Sequence, residues 1–347
     1  MELERKSNSR EEWTDYAKAI GIVLVVYGHV ARGLHESGIG IANKYHVLID
    51  SIIYSFHMPL FFFLSGLFFY HSFAKRGFFK LCLNKVDTIA YPYMLWTIIQ
   101  GSIGVLLASV TNGSANFSEV FSFWQPYAQF WFLYALFFVF VVSGLFFRIF
   151  SINFSLLLLF ASVFIYLNTW LLPDVFVFFF IAGNLVFFAF GITFSQINII
   201  GLLGTLKFFI FISLVFVTSQ YIFHVHLGKV FSEKGTFTLV LAFISIMFIA
   251  SLSINLAKKP NRFITYIGVS SMAIYLMHIL AGSGVRVVLN KVFDIDDTTI
   301  HIILGCLAGI GLPLVVLEIA KKLHIPYLFS APLSRIFFRK LRTKANG

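Results

Sequence analysis

From Thr236 to Leu256, and again from Gln129 to Phe147, the chain runs without a single charged side chain. A helix of about 20 apolar residues spans the roughly 30 Å hydrocarbon core of a bilayer. A surface helix of a water-soluble protein would instead carry a polar stripe. Runs of this kind recur, separated by charge clusters and turn residues. They predict ten helical spans, at Tyr16 to Arg32, Val47 to Tyr70, Val86 to Ala108, Gln129 to Phe147, Ile152 to Trp170, Val175 to Phe194, Leu206 to Phe223, Thr236 to Leu256, Ile264 to Arg286 and Ile300 to Ala320. The expected fold is an all-α, polytopic integral membrane helical bundle.

Composition closes off the soluble alternative. Apolar residues make up 59% of the chain and charged ones 12%, against about 45–50% and 25% in a soluble domain. With 45 Phe there is too little polar surface to cover a core. The net charge of +11 is spread between the apolar runs, not along one stripe, so it reads as a topology signal and argues against a nucleic-acid partner. With the N-terminus inside, the outer side receives Arg32, Lys44, Lys229, Lys234, Arg286 and Lys291, and the other twenty of the 26 Lys and Arg fall inside. That bias predicts both termini cytoplasmic. The chain reads as one membrane domain over residues 1–347, with a retained cytoplasmic segment at 1–15 and a basic cytoplasmic tail at 321–347; no internal repeat or linker divides it. Cys82 and Cys306 lack ligand or pairing spacing, so neither a disulfide nor a metal is expected. Asn112 and Asn116 match a glycosylation acceptor pattern in an expected outer loop, a short pattern that chance produces often.

Ionisable groups inside a bilayer are costly, which makes the few present candidates for function. Lys18 and His29 are eleven residues apart, roughly 16 Å of rise and about 20° past three full turns, so they share a helix face. Asp15, three residues before Lys18, can hold its ammonium on that face. Lys18 can equally snorkel to the inner interface with Asp15 as its partner. His29 follows an uninterrupted apolar run beside Gly28, which permits close approach of a backbone or ligand. In the second span His57 precedes Pro59, an expected kink whose freed carbonyl needs a partner. Counting about 1.5 Å per residue along the two antiparallel spans, His29 and His57 lie within about 5 Å of one depth, in the outer half of the membrane. They are expected to face one cavity. A kinked packing helix with His57 capping the carbonyl, and a Ser65 bonded to its own helix, is the plainer alternative.

Asp15-x-x-Lys18 with Gly21 and His29, followed by His57-Met-Pro59-Leu-Phe-Phe-Phe-Leu-Ser65-Gly66, resembles the two characteristic blocks of the membrane-bound acyltransferase 3 family, the bacterial sugar O-acetylases. Tyr91-Pro92-Tyr93, Trp131-Phe-Leu-Tyr-Ala-Leu-Phe and the block Ile267 to His278, with Ser271 and Tyr275, extend the resemblance over about residues 13 to 280. The chain departs from the family in having Lys18 where arginine is frequent, and Lys85 with Thr88 where two basic residues precede the Pro-Tyr turn. Lysine is a point charge without the bidentate fork of arginine.

The resemblance implies transfer of an acetyl group from cytoplasmic acetyl-CoA to a hydroxyl of a surface polysaccharide or its lipid-linked precursor, in a bacterial inner membrane. Acetyl-CoA would be a substrate, with no permanently bound cofactor. Lys18, Lys75, Arg76, Lys80 and Lys85 would meet the anionic nucleotide. His29 would act as general base or as the nucleophile that carries the acetyl group. His57 would orient His29, stabilise the oxyanion or protonate the thiolate, with Asp15, Ser65, Tyr91, Trp131, Tyr275 and His278 in support. Membrane lipids and the glycan are the remaining partners. The rival reading from another class is a transporter of a small molecule or glycan precursor, which inverted repeats and broken midplane helices would favour; a membrane sensor is compatible with the composition.

Overall fold

A computed structural model describes residues 2–108 and 116–334, with side chains from Glu12 onward; the Asn112 acceptor pattern and the tail beyond Ser334 lie outside the described residues. The described residues are mainly helical, without strands. In chain order the helices are α1 Glu2–Glu36, α2 Asn43–Tyr54, α3 His57–Leu67, α4 Phe69–Lys85, α5 Tyr91–Leu106, α6 Phe117–Val120, α7 Trp131–Ile149, α8 Ser155–Leu167, α9 Phe176–Phe194, α10 Ile200–Leu203, α11 Leu206–Tyr221, α12 Thr236–Ala257, α13 Arg262–Val269, α14 Ser271–Val287 and α15 Thr298–Lys322. Nine helical runs among the described residues are long and apolar enough to cross a membrane, and the apolar helical run Ile152–Leu167 is shorter. The chain is a multi-pass helical membrane bundle.

Two expected boundaries are corrected. The second span is interrupted in the turn that precedes Pro59, where the proline's ring meets the carbonyl four residues back. The helix stops after Tyr54 in a tight turn at Ser55 and Phe56, where the Ser55 hydroxyl donates to Ile52 O at 2.7 Å, and restarts at His57. Pro59 then sits in the first turn of α3, where a missing N–H costs no hydrogen bond. The basic stretch from Lys75 to Lys85 is not a loop: α4, a π-turn at Val86–Ala90 and α5 form one helical run, Phe69–Leu106. Its residues are mostly acceptable helix formers, so local propensity carries the helix through the charges, and only Gly77, at φ 70° and inside α4, kinks it. The ninth span is divided at Ser270 into α13 and α14. Asn261 caps α13, its side-chain oxygen accepting from Phe263 N at 2.9 Å and Ile264 N at 3.2 Å.

The chain forms two compact units, Met1–Leu64 with Gln196–Val316, and Ser65–Ser195 with Leu317–Gly347. In the first, α1 is central and packs on α2, α12, α13 and α14. Glycines set the closest approaches. A Cβ at Gly268 would collide with the backbone carbonyl of Asp15, and one at Gly305 or Gly309 would lie 2.9 and 2.6 Å from Val30 and Val26. The outward row Ile210, Phe211, Leu214, Val217 and Tyr221 of α11 is exposed, as a lipid-facing stripe at helical spacing should be.

In the second unit α4 packs on α7, and α9 on α7 and α8. Phe69, Phe140 and Phe188 form its aromatic centre, with ring centroids 4.8 to 5.9 Å apart. Gly66 brings α3 so close to α9 that a Cβ would strike Phe188 O. Buried Gln100 and Gln129 exchange amide hydrogen bonds at 2.9 and 2.6 Å. The segment Tyr327–Ser334 lies along α5: Tyr91 Oη donates to Tyr327 O at 2.9 Å, Trp96 Nε1 donates to Leu328 O at 3.0 Å, and buried Asp87 accepts from Ser334.

Candidate active site

His29 lies in the second half of α1, in the first unit. Arg32 follows it by three residues, one turn further along the same face. On α2, Asp50 and Tyr54 are four residues apart and also share a face. Arg32 donates to both oxygens of Asp50, Nε to Oδ1 at 2.6 Å and Nη2 to Oδ2 at 2.8 Å, the bidentate geometry that only arginine offers. The same guanidinium lies over the Tyr54 ring, with Cζ 3.3 Å from its centroid. Phe231 closes against Tyr54 at 5.4 Å.

Around this ring the histidines assemble. Tyr54 meets His57 edge-on at 4.4 Å between centroids and His29 at 6.4 Å. His278, from α14, reaches the other side of His29 at 5.0 Å. His57 and His278 are buried, while His29 is partly exposed. Gly28 is where the close approach happens: a Cβ there would stand 2.9 Å from the Tyr54 ring. Gly309 likewise lets α15 come beside His278. His57 Nδ1 donates to Ile53 O at 2.8 Å, and His278 Nδ1 to Tyr275 O at 2.8 Å, with Ile274 O at 3.2 Å. A carbonyl can only accept, so each Nδ1 carries the hydrogen. In the neutral ring Nε2 is then left as an acceptor. The Nε2 of His278 and the hydroxyl of Tyr54 are buried without a hydrogen-bond partner among the described residues. Buried polar atoms seldom stay unpaired unless something else is meant to meet them.

The remaining candidates are placed as follows. In the first unit, Lys18 pairs with Asp15 at 2.9 Å, and Tyr275 is buried beside His278, 6.1 Å between centroids. The second unit holds the others. Lys75, Arg76 and Lys80 are exposed on α4, flanking the Gly77 kink, with Arg76 donating to Ser72 Oγ at 2.6 Å. Lys85 puts its ammonium 3.9 Å from the Phe140 ring centroid, a cation–π contact. Trp131 stacks on Phe180 at 5.8 Å, and Tyr91 holds the Tyr327 carbonyl. Ser65 is half-buried beside Gly66.

Arg32, Asp50 and Tyr54 escape a sequence reading. Arg32 looks like one of a few outer topology charges, and Tyr54 is one of 14 tyrosines. Their signal is the pair of helical spacings, three residues from His29 to Arg32 and four from Asp50 to Tyr54, which only a fold can bring face to face.

Such an arrangement, with imidazole acceptors, a hydroxyl donor and an apolar surround, suits proton transfer coupled to attack on a carbonyl. Comparison with known proteins points the same way. A family described as an acyltransferase domain matches residues 11–318. The nodulation protein NolL of Sinorhizobium fredii (strain NBRC 101917 / NGR234) is 26% identical over 144 residues, which is 40% of this chain and 37% of that protein. The chain thus matches little more than a third of that relative's length. No solved structure matches.

Proposed function

This chain belongs to the acyltransferase 3 family, and from that premise we propose that it is a membrane O-acetyltransferase, moving an acetyl group from acetyl-CoA to a hydroxyl of a surface polysaccharide or its lipid-linked precursor in a bacterial inner membrane. The observation that carries the chemistry is the meeting of His29 with His278 on one side and the Tyr54–His57 pair on the other. With Asp50 engaged by Arg32, an imidazole is the group left to act as base or nucleophile.

Attack of the acceptor hydroxyl on the thioester carbonyl requires removal of the hydroxyl proton. His29, flanked by Tyr54 on one side and His278 on the other, is the imidazole we assign to take it. His278 and His57 are held in fixed tautomers beside it by backbone carbonyls. For the anionic end of coenzyme A, Lys75, Arg76, Lys80 and Lys85 of the second unit supply positive charge for phosphates; Lys18 of the first unit is a separate candidate. Asp15 steadies Lys18; Tyr275 backs His278.

The test is mass spectrometry of cell-surface glycans from cells with the gene, without it, and with His29→Ala. One acetyl group should vanish in the second and third. Unchanged glycans on deletion would overturn the reading and favour the transporter class.

A further inference from the structure

Every transfer from a thioester passes charge onto the carbonyl oxygen, and donors placed for that oxyanion are usually the largest catalytic contribution. The hydrogen bonds in the first unit restrict which group can be that donor. His57 spends Nδ1–H on Ile53 O and His278 spends its own on Tyr275 O, both at 2.8 Å. As neutral rings they present only acceptor nitrogens, so neither can donate to an oxyanion. Arg32 spends two of its five N–H groups on Asp50, at 2.6 and 2.8 Å, and is held flat against the face of the Tyr54 ring. Tyr54 is different. Its hydroxyl is buried with no hydrogen-bond partner among the described residues, and it lies against Gly28, where an added Cβ would be 3.3 Å from it. That puts the hydroxyl beside the residue preceding His29.

We propose that Tyr54 is a catalytic residue whose hydroxyl donates to the oxyanion of the acyl-transfer intermediate; the proposal rests on the acetyl-CoA reading above. The acceptor oxygen bonds to the thioester carbon as His29 takes its proton, and the carbonyl π pair moves to oxygen, where it accepts from the Tyr54 O–H. Collapse restores C=O and breaks the C–S bond. The thiolate then takes the proton from the His29 imidazolium, leaving coenzyme A thiol, the acetyl ester and neutral His29. Arg32 acts as a positioning residue: its charge over the ring face withdraws electron density and strengthens the phenol as a donor, and Asp50 holds the charge there. Gly28 is small because any side chain would fill the place where the phenol must sit.

The experiment uses the full chain in lipid nanodiscs, acetyl-CoA as donor and envelope glycan from gene-deleted cells as acceptor, following thiol release. Tyr54→Phe keeps the ring, the Arg32 stack and the Gly28 contact. Its kcat is expected to fall about 10²- to 10³-fold, as for loss of one oxyanion donor, with KM for acetyl-CoA within a few-fold and thermal unfolding unchanged. p-Aminophenylalanine at position 54, which returns an N–H donor to the same ring, should recover part of the rate. Tyr54→Phe with near-normal kcat overturns the role, and so does an amino variant as slow as the phenylalanine one, because that points to packing. Wild-type protein that releases no thiol overturns the acetyl-CoA reading itself and takes this role with it, a result separable from the other two because all variants are then alike.

Discussion

Replacing His29 with alanine removes an imidazole that sits between His278 and Tyr54. His57 and His278 each keep an acceptor Nε2, but both are anchored through Nδ1 to their own helix and so cannot move into the place His29 leaves. Loss of a general base is expected to lower the rate by roughly 10²- to 10⁴-fold, and loss of a nucleophile by more. The protein should still reach the membrane as a monodisperse species, because the closest helix approaches around α1 are made by glycines and apolar side chains. Glycan acetylation by the mutant is the measurement; near-normal acetylation would shift the base to His278. Gly268→Ala should do the opposite, disrupting structure first. A methyl there would collide with the Asp15 backbone, and neither α1 nor α13 can retreat without losing its neighbours. A cost of about 1–3 kcal/mol or more is expected, read as a lower unfolding temperature in detergent; an unchanged temperature would show that α13 is free to move.

At the scale of elements, α4 carries four described basic side chains, Lys75, Arg76, Lys80 and Lys85. Lys75, Arg76 and Lys80 are exposed there, as phosphate contacts must be. Because α4 is a helix and not a loop, these charges are displayed at fixed positions, broken only at Gly77. Charge reversal with Lys75→Glu and Arg76→Glu should therefore weaken coenzyme A binding, and the loss should shrink as salt is raised because exposed charges are screened within about 10 Å at 0.1 M. Titration by calorimetry at two ionic strengths tests this; equal affinity would leave these residues as topology signals alone. Lys85 differs from them, since its ammonium is held against Phe140, and substitution there should disturb the packing of α4 on α7 as well.

For the whole molecule the testable quantity is sidedness. The excess of Lys and Arg in alternate loops predicts an orientation with Arg76 inside and Lys229 outside. Single cysteines at these two positions, in a background lacking Cys82 and Cys306, should react oppositely with a membrane-impermeant thiol reagent applied to intact cells: position 229 labelled, position 76 protected. Labelling of both, or of position 76 alone, would refute the orientation and with it the cytoplasmic origin of the acyl donor.

The residues themselves were enough for the class of fold. Runs such as Thr236 to Leu256 leave a chain no solvent but lipid, and hydropathy is a local property that needs no knowledge of neighbours. The first two family blocks likewise carried His29 and His57, because each is a short stretch on one helix. Tertiary structure alone decided what lies between them. Tyr54 belongs to the same apolar segment as His57, Arg32 to the end of α1 and His278 to α14, far along the chain. Their meeting depends on the turn at Ser55 and Phe56 and on the contacts that Gly28 and Gly309 permit. Periodicity also misjudged the boundaries at Lys75 to Lys85 and at Ser270, because a hydropathy run records burial in lipid and is blind to whether the backbone inside it continues, turns or restarts. That is settled by which carbonyls find a donor, and in a membrane every one of them must.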